Sequence, residues 1–275
     1  MILWCDGGHS APENMRRDAC LLARLDSSRE GTPAATPVLR LFRFDPPGIT
    51  LGRAQRPERT LDLERCRRDG VEWAVRPTGG RAIFHDEEWT YSFAARIADP
   101  EWGGDLSEAY ARVSRLIHAS LTALGVAAAL VAQRAPRGAP REDQDGGPVT
   151  DPARPSCFAS TARHELELDG RKLAGSAQRR TAVALLQQGS ILLGDSHLRL
   201  ADYVCGDDDV RAAVRRALAA HAAHAGTRLG AHCELERWAA AITSVMNGRV
   251  RAFSAGEGAF LLTPGEPAPY TASPK

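Results

Sequence analysis

Apolar residues recur along this chain with the period of a helix in four stretches. These stretches lie at 12–27, 105–125, 207–224 and 233–246. The second begins with Asp105 and Glu108 in the spacing of a capping box, and Gly125 is placed to end it. The last is followed by Asn247 and Gly248, which favour the left-handed backbone found at helix C-termini. The pattern therefore predicts four helices with defined ends.

Six other stretches are rich in β-branched and aromatic residues and are bounded by turn residues. They lie at 38–44, 49–52, 71–75, 88–93, 126–132 and 181–193. In the fourth, Trp89, Tyr91 and Phe93 alternate with polar residues, which predicts a strand that is buried on one face only. Asp169-Gly170 lies between two short runs of alternating character and predicts a hairpin with a two-residue turn.

The order of these elements indicates the fold class. No internal repeat and no regular βαβ order is present, so we expect one α+β domain over residues 1–262, with a largely antiparallel, mixed sheet flanked by helices. Residues 134–156 are almost devoid of apolar side chains, which predicts a mobile loop. The Pro-rich segment 263–275 is expected to be a flexible C-terminal tail.

Composition narrows the class of protein. The chain is 43% hydrophobic and 25% charged, as globular domains are, and its net charge of +1 gives no reason to expect nucleic acid as a partner. The N-terminus becomes polar too early for a signal peptide, and no apolar run approaches the roughly 20 residues that span a bilayer. We therefore expect a cytoplasmic protein without a membrane partner. The six cysteines include no C-x-x-C pair, so no metal site is predicted.

The first candidate site is the sequence RPTGGRAIFHD at residues 76–86. Gly79 and Gly80 allow the backbone to approach a ligand closely. Two arginines and a histidine beside that backbone suit an anion or a polar acyl donor. The alternative is a tight hairpin whose arginines face water.

Lysine is rare in this chain, and its position is informative. Of the 35 Lys and Arg residues, only Lys172 and the C-terminal Lys275 are lysines. A lysine retained where arginine is the rule suggests a position that needs an amine. Lys172 lies in the sequence GRKLAGSAQ at residues 170–178, whose small residues leave room for a ligand. If the predicted turn forms, Lys172 faces Glu167, so a cross-strand ion pair is the alternative.

A third candidate is Cys157, which follows the polar stretch and precedes the predicted hairpin. A cysteine thiolate is a good nucleophile, and the thioester that it forms with an acyl group stays reactive. The alternative is that Cys157 is a small buried residue, as cysteine commonly is.

Together these motifs resemble the signature of the biotin/lipoate protein ligase superfamily. The resemblance rests on RPTGGRAIFHD followed by EWTYS, and on GRKLAGSAQ followed by QGSIL. The upstream segments NMRRD and PGITLG fit the same pattern. Arg81 in place of a third glycine, and Cys157 before the hairpin, are most similar to the LipM-type octanoyltransferases, which are related to lipoate-protein ligase A. The resemblance implies a single ligase-like catalytic domain.

The resemblance also implies a reaction and a site. Cys157 would take an octanoyl group from octanoyl-acyl carrier protein and pass it to a lysine of a lipoyl domain or of the glycine cleavage H protein. Lys172 would act beside the acyl carbonyl as a base or as a fixed charge. No cofactor is required for this reaction. The residues that the resemblance places in the substrate site are Arg76, Thr78, Gly79, Gly80, Arg81, His85, Gly175, Ser176 and Ala177.

Alternatives remain within and outside the superfamily. An ATP- and Mg-dependent lipoate-protein ligase would use Lys172 to hold an acyl-adenylate, and an amidotransferase would move octanoyl or lipoyl groups between lipoyl-accepting proteins. A non-catalytic acyl-binding relative would bind without turnover. Two positions depart from the family pattern: Ala19 replaces an acidic residue, and Trp89 replaces a smaller apolar one. We expect Trp89 to reshape the acyl pocket.

Overall fold

The computed structural model describes residues 1–131 and 165–262. Within these ranges the strands are β1 (Ile2–His9), β2 (Val38–Phe44), β3 (Gly48–Leu51), β4 (Glu72–Val75), β5 (Ile83–His85), β6 (Glu88–Arg96), β7 (Ala129–Leu130), β8 (Leu166–Leu168), β9 (Arg171–Arg180), β10 (Ala184–Leu192) and β11 (Arg251–Phe253). The helices there are α1 (Ala11–Ser27), α2 (Pro57–Thr60), α3 (Leu63–Arg68), α4 (Leu106–Ala123), α5 (Leu200–Tyr203), α6 (Asp208–His221), α7 (Gly226–Leu229) and α8 (Leu235–Val245).

Two sheets organise the chain. The large sheet has the strand order β11-β1-β2-β6-β10-β9-β8-β7. In it β1 runs parallel to β2 and β11, and the other neighbouring pairs are antiparallel. The small sheet has the order β4-β3-β5, with one parallel and one antiparallel pair. The expectation of a largely antiparallel, mixed sheet flanked by helices is confirmed for the described residues.

The largest apolar cluster lies on the face of the large sheet that α4 and α8 cover. Trp89, Tyr91 and Phe93 of β6 are buried there together with residues of both helices. Trp89 stacks on Trp238 of α8, with the ring centroids 5.1 Å apart. Helix α1 packs against β6 and β10 with a separate apolar cluster, so the sheet is covered on both faces.

This double coverage corrects one expectation. The polar residues of β6, Glu88, Thr90 and Ser92, are at most 4% exposed, so the strand is buried on both faces rather than on one. Apolar and polar residues do alternate along β6, but both faces of the strand are buried. The apolar residues face an apolar interior, and the polar residues face a polar one. The polar interior lies on the side of α1 and the small sheet, where each side chain finds hydrogen-bond partners.

The predicted helices are present, with some changes at their ends. The capping box is confirmed, because Asp105 and Glu108 each accept a hydrogen bond from the other's backbone N–H. Leu106 is apolar yet 54% exposed, since it occupies the first position after the cap. The strand expected at 126–132 is reduced to the two residues of β7.

Two predictions, the mobile loop at 134–156 and the flexible tail from residue 263, concern residues outside the described ranges.

Among the helices within 1–131 and 165–262, none is both long enough and apolar enough to cross a bilayer. The same ranges contain no group of three or more His, Cys, Asp or Glu residues arranged to hold a metal ion.

A buried ion cluster joins α1 to the first two strands. Arg40 of β2 is fully buried and donates to Asp6 and to Asp18, each over 2.7 Å. It also donates to the side-chain oxygen of Asn14 over 2.6 Å. Burial raises the pKa of the Asp18 carboxyl, and the charge of Arg40 opposes that effect. Buried charges are tolerated when they are paired in this way, and removing one partner is costly.

Candidate functional site

The loop at residues 76–81 connects β4 to β5 and contains the Gly-Gly pair. Gly80 has a φ of +90°, in the region that favours glycine. A Cβ on Gly52, which follows β3, would lie 1.8 Å from the Gly80 carbonyl oxygen. The two segments therefore touch through their backbones, and the amide of Arg53 donates to the carbonyl of Thr78 over 2.9 Å. Gly79 and Gly80 are exposed, as a ligand-facing backbone requires.

Arg76 is buried beneath this loop rather than exposed at its edge. Its guanidinium donates to the carbonyl oxygens of Gly79 over 3.1 Å and Arg81 over 2.8 Å. It also donates to the hydroxyl of Thr50 in β3 over 3.1 Å. Arg76 thus holds the shape of its own loop, whereas Arg81 is only half-buried.

The other end of the loop is fixed to the ion cluster. The hydroxyl of Thr78 donates to the side-chain oxygen of Gln188 over 2.6 Å, and the amide of Gln188 donates to Asp18 over 2.6 Å. Asp18 is in turn paired with Arg40. Asp18 and Gln188 lie in the motifs NMRRD and QGSIL, and no role is predicted for either from the sequence. Their positions in strands and helices that are far apart in sequence gave no sign of this contact.

A small cavity lies between the loop and the large sheet. Its volume of about 30 Å³ is sufficient for a water molecule or two. Five predicted site residues line it, contributed by two motifs separated by about 90 positions: Arg76, His85, Gly175, Ser176 and Ala177. The lining residues that are not among the predicted site residues are Met15, Phe44, Thr50, Ile83, Thr90, Gln188, Gly189 and Ser190. Thr78, Gly79, Gly80 and Arg81 lie on the loop itself.

The predicted hairpin around Lys172 is present. Asp169 and Gly170 have positive φ values of 53° and 74°, which confirms the two-residue turn. Glu167 is the register partner of Lys172, but a shift of register lies between Leu166 and Glu167. The ammonium of Lys172 lies 2.6 Å from a carboxylate oxygen of Glu165 instead.

Lys172 thus lies opposite Glu167, as the turn predicts, but the ion pair that its ammonium makes is with Glu165. Lys172 and Glu165 are 2% and 4% exposed, so this is a buried pair rather than a surface one. The segment after α6 contributes to the burial, since the amide of Ala223 donates to the carbonyl of Lys172 over 2.9 Å. Among the described residues, the lining of the cavity does not include Lys172. Cys157 lies outside the described residues, so its expected place beside Lys172 stays a prediction.

Trp89 does not line this cavity, and its predicted effect on the acyl pocket stays a prediction. Its ring lies on the face of β6 that packs against α8, where its indole N–H donates to the carbonyl of Cys233 over 2.7 Å. The next residue, Thr90, points to the other face and lines the cavity. Alternation along the strand is the reason, because adjacent side chains point to opposite faces.

Comparison with known proteins gives these motifs a family context. Residues 10–233 match the family model of the lipoyl protein ligase A/B catalytic domain. The chain is 34% identical over 233 residues to the octanoyltransferase LipM of Kyrpidia tusciae, covering 84% of this chain and 80% of that one. It is 35% identical over 189 residues to the octanoyltransferase LipM of Geobacillus kaustophilus, covering 68% of this chain. That match spans 64% of the relative's length, which is less than two thirds.

Among solved structures, the bi-partite lipoate protein ligase of Thermoplasma acidophilum has a TM-score of 0.65 to this chain. The superposition covers 94% of this chain and 89% of that one, at 17% sequence identity. At that identity the likeness shows the fold alone. It confirms the predicted ligase-like fold.

The contact between Gly52 and Gly80 yields a prediction about stability. Gly52→Ala should lower the free energy of unfolding by about 1–3 kcal/mol, because the new methyl group overlaps the Gly80 carbonyl. Urea unfolding monitored by circular dichroism measures this loss. Gly256→Ala is the matched control, since a Cβ there meets no atom within 4 Å. Equal stability of the two variants would contradict the described contact.

Proposed function

The chain belongs to the lipoyl protein ligase A/B catalytic-domain family, and on that premise we propose that it is an octanoyltransferase of lipoate assembly. The observation that carries the proposal is its identity of 34–35% to proteins named octanoyltransferase LipM. The presence of Cys157 and Lys172 supports the same activity, because a transferase that acts through a thioester needs a nucleophile. A ligase that uses ATP has no need of that cysteine.

The proposed reaction has two steps. The Cys157 thiolate attacks the carbonyl carbon of octanoyl-acyl carrier protein; a new C–S bond forms, the original C–S bond breaks, and the carrier's thiol leaves with a proton. The amine of an acceptor lysine, on a lipoyl domain or the glycine cleavage H protein, then attacks the octanoyl-Cys157 thioester. An amide forms, the amine loses a proton, and the cysteine is released. No ATP is consumed, because the donor thioester already supplies the activation.

The loop at 76–81 and the cavity beneath it are the proposed donor site. The exposed backbone of Gly79 and Gly80 lies at the surface, and the small residues Gly175 and Ala177 line the cavity below. Glycine and alanine keep large side chains out of this region, and the cavity of about 30 Å³ has to widen when an extended acyl chain binds. The polar side chains of the cavity are arranged around Arg76 and His85, which we place near the thioester end of the donor.

Lys172 is proposed to act at the acyl carbonyl. Its ion pair with Glu165 supports a role as a fixed positive charge that stabilises the oxyanion. An ammonium, unlike a guanidinium, can lose a proton, and the neutral amine that results can accept the proton of the incoming lysine. The charge serves both steps, whereas proton acceptance serves only the second step, so the two roles are separable by experiment.

A transfer assay without ATP tests the proposed function. The protein should move octanoyl groups from octanoyl-acyl carrier protein to a lipoyl domain in the absence of ATP and magnesium, and Cys157→Ser should abolish the transfer. The product is measured as an octanoylated lipoyl domain by mass spectrometry. Transfer from free octanoate or lipoate that appears only when ATP and magnesium are added would assign the chain to the ligases instead.

The role of Lys172 gives a second prediction. Lys172→Arg retains the charge but cannot release a proton, so transfer from octanoyl-Cys157 to the acceptor should fall about 10²-fold or more while formation of the acyl-enzyme persists. Single-turnover assays of the two half-reactions measure the difference. Lys172→Met, which removes the charge as well, should impair both. Near-normal turnover by the Arg variant would rule out proton transfer by Lys172.

A further inference from the structure

Glu88 is a buried carboxylate that the proposed reaction does not use. It is 1% exposed, and one of its oxygens, Oε1, accepts three hydrogen bonds. The donors are His85 at 2.5 Å, Thr90 at 2.7 Å and Ser190 at 3.0 Å. The other oxygen, Oε2, has no partner within the described parts of the chain. Burial of a carboxylate is costly unless its hydrogen bonds compensate, and here the compensation is concentrated on one atom.

His85 links Glu88 to β3. Its Nδ1 faces Glu88, and its Nε2 lies 2.6 Å from the hydroxyl oxygen of Thr50. The ring is stacked on Phe44 with a centroid separation of 3.9 Å. Both ring nitrogens and one ring face are therefore engaged, which holds the imidazole in one orientation.

The hydrogen bonds can be written in one consistent direction. Arg76 has only donors, so it donates to the Thr50 hydroxyl oxygen over 3.1 Å. The Thr50 hydroxyl is then free to donate to Nε2 of His85, and Nδ1–H of His85 donates to Glu88. In this arrangement the carboxylate selects the His85 tautomer, as a carboxylate does when it orients an imidazole.

This chain of bonds ends at the loop. The same guanidinium that contacts Thr50 also donates to the carbonyls of Gly79 and Arg81. An interaction that orients the hydroxyl of Thr50 therefore also orients Arg76. Through Arg76 it holds the loop backbone at which we place the acyl donor. Glu88 is not among the described residues that line the cavity, but the three side chains that donate to it, those of His85, Thr90 and Ser190, are.

We propose that Glu88 is a positioning residue: by accepting from His85 it orients Thr50 and Arg76, and thereby holds the loop at 76–81 in the geometry that binds the acyl donor. This inference rests on the proposed function for the identity of the donor. The control of the loop by Glu88 does not depend on the identity of the donor, and a separate measurement tests it.

The test compares two substitutions at one position. Glu88→Leu removes the hydrogen-bond acceptor. In Glu88→Gln the side-chain carbonyl still accepts from His85, Thr90 and Ser190. The NH2 group of the glutamine replaces Oε2, which has no described partner. The reporter is hydrogen exchange at the amide of Arg53, which donates to the loop carbonyl of Thr78. Glu88→Leu should speed that exchange about 10-fold, and Glu88→Gln should leave it close to the wild-type rate.

Steady-state kinetics supply a readout that a general loss of stability does not mimic. In Glu88→Leu the KM for octanoyl-acyl carrier protein should rise about 10-fold, with the KM for the lipoyl domain unchanged. The Gln variant should restore the wild-type KM. Equal defects in the Leu and Gln variants would overturn the hydrogen-bond account.

Thr50→Val provides an independent check if Glu88→Leu fails to fold. It removes only the hydroxyl between Arg76 and His85, with little change of shape, and should reproduce the faster exchange at Arg53. Wild-type exchange in a folded Thr50→Val protein would overturn the proposal. If the wild-type protein shows no octanoyl transfer, the proposed function fails, yet the exchange measurements still decide whether Glu88 and Thr50 hold the loop.

Discussion

The charged residues buried on one face of the large sheet must stay paired, and this requirement determines where the candidate site forms. Arg40 is fully buried between Asp6 and Asp18, and an ion cluster of this kind is stable only when every member keeps its partners. The partners come from β1, β2 and α1, so pairing these charges fixes how the helix lies on the sheet. Gln188 extends the cluster from Asp18 to Thr78. The position of the glycine loop thus depends on interactions formed deep in the protein.

Two polar routes reach that loop from different sides. One runs from the ion cluster through Gln188 to Thr78, and the other runs from Glu88 through His85 and Thr50 to Arg76. The guanidinium of Arg76 carries the second route to the carbonyl of Arg81, so Gly79 and Gly80 lie between the two anchored residues, Thr78 and Arg81. Anchoring both ends gives a segment that is exposed but ordered, which is the property that a donor-binding backbone needs.

Helices, strands and turns could be predicted from the sequence more fully than the side-chain contacts between them. Helical period, the capping box and the Asp169-Gly170 turn are local signals, and the structure confirms each of them. The burial of Glu88 was missed because the alternation in β6 cannot distinguish water from a polar interior. The Asp169-Gly170 turn places Lys172 opposite Glu167, as predicted, but the ammonium of Lys172 pairs with Glu165, and nothing in the local pattern distinguishes two glutamates that lie two positions apart. The resemblance to the family identified the two motifs whose residues line the cavity. It assigned no role to Gln188 and Glu88, which hydrogen-bond to residues of the first motif.

The central claim is that an octanoyl group is carried on Cys157 between donor and acceptor. Its most direct test is the intact mass of the protein after mixing with octanoyl-acyl carrier protein in the absence of ATP and of any acceptor. The account predicts one added octanoyl group, removable by hydroxylamine and located on the peptide that contains Cys157. An unchanged mass for folded protein that nevertheless transfers octanoyl groups when the acceptor is added would contradict it.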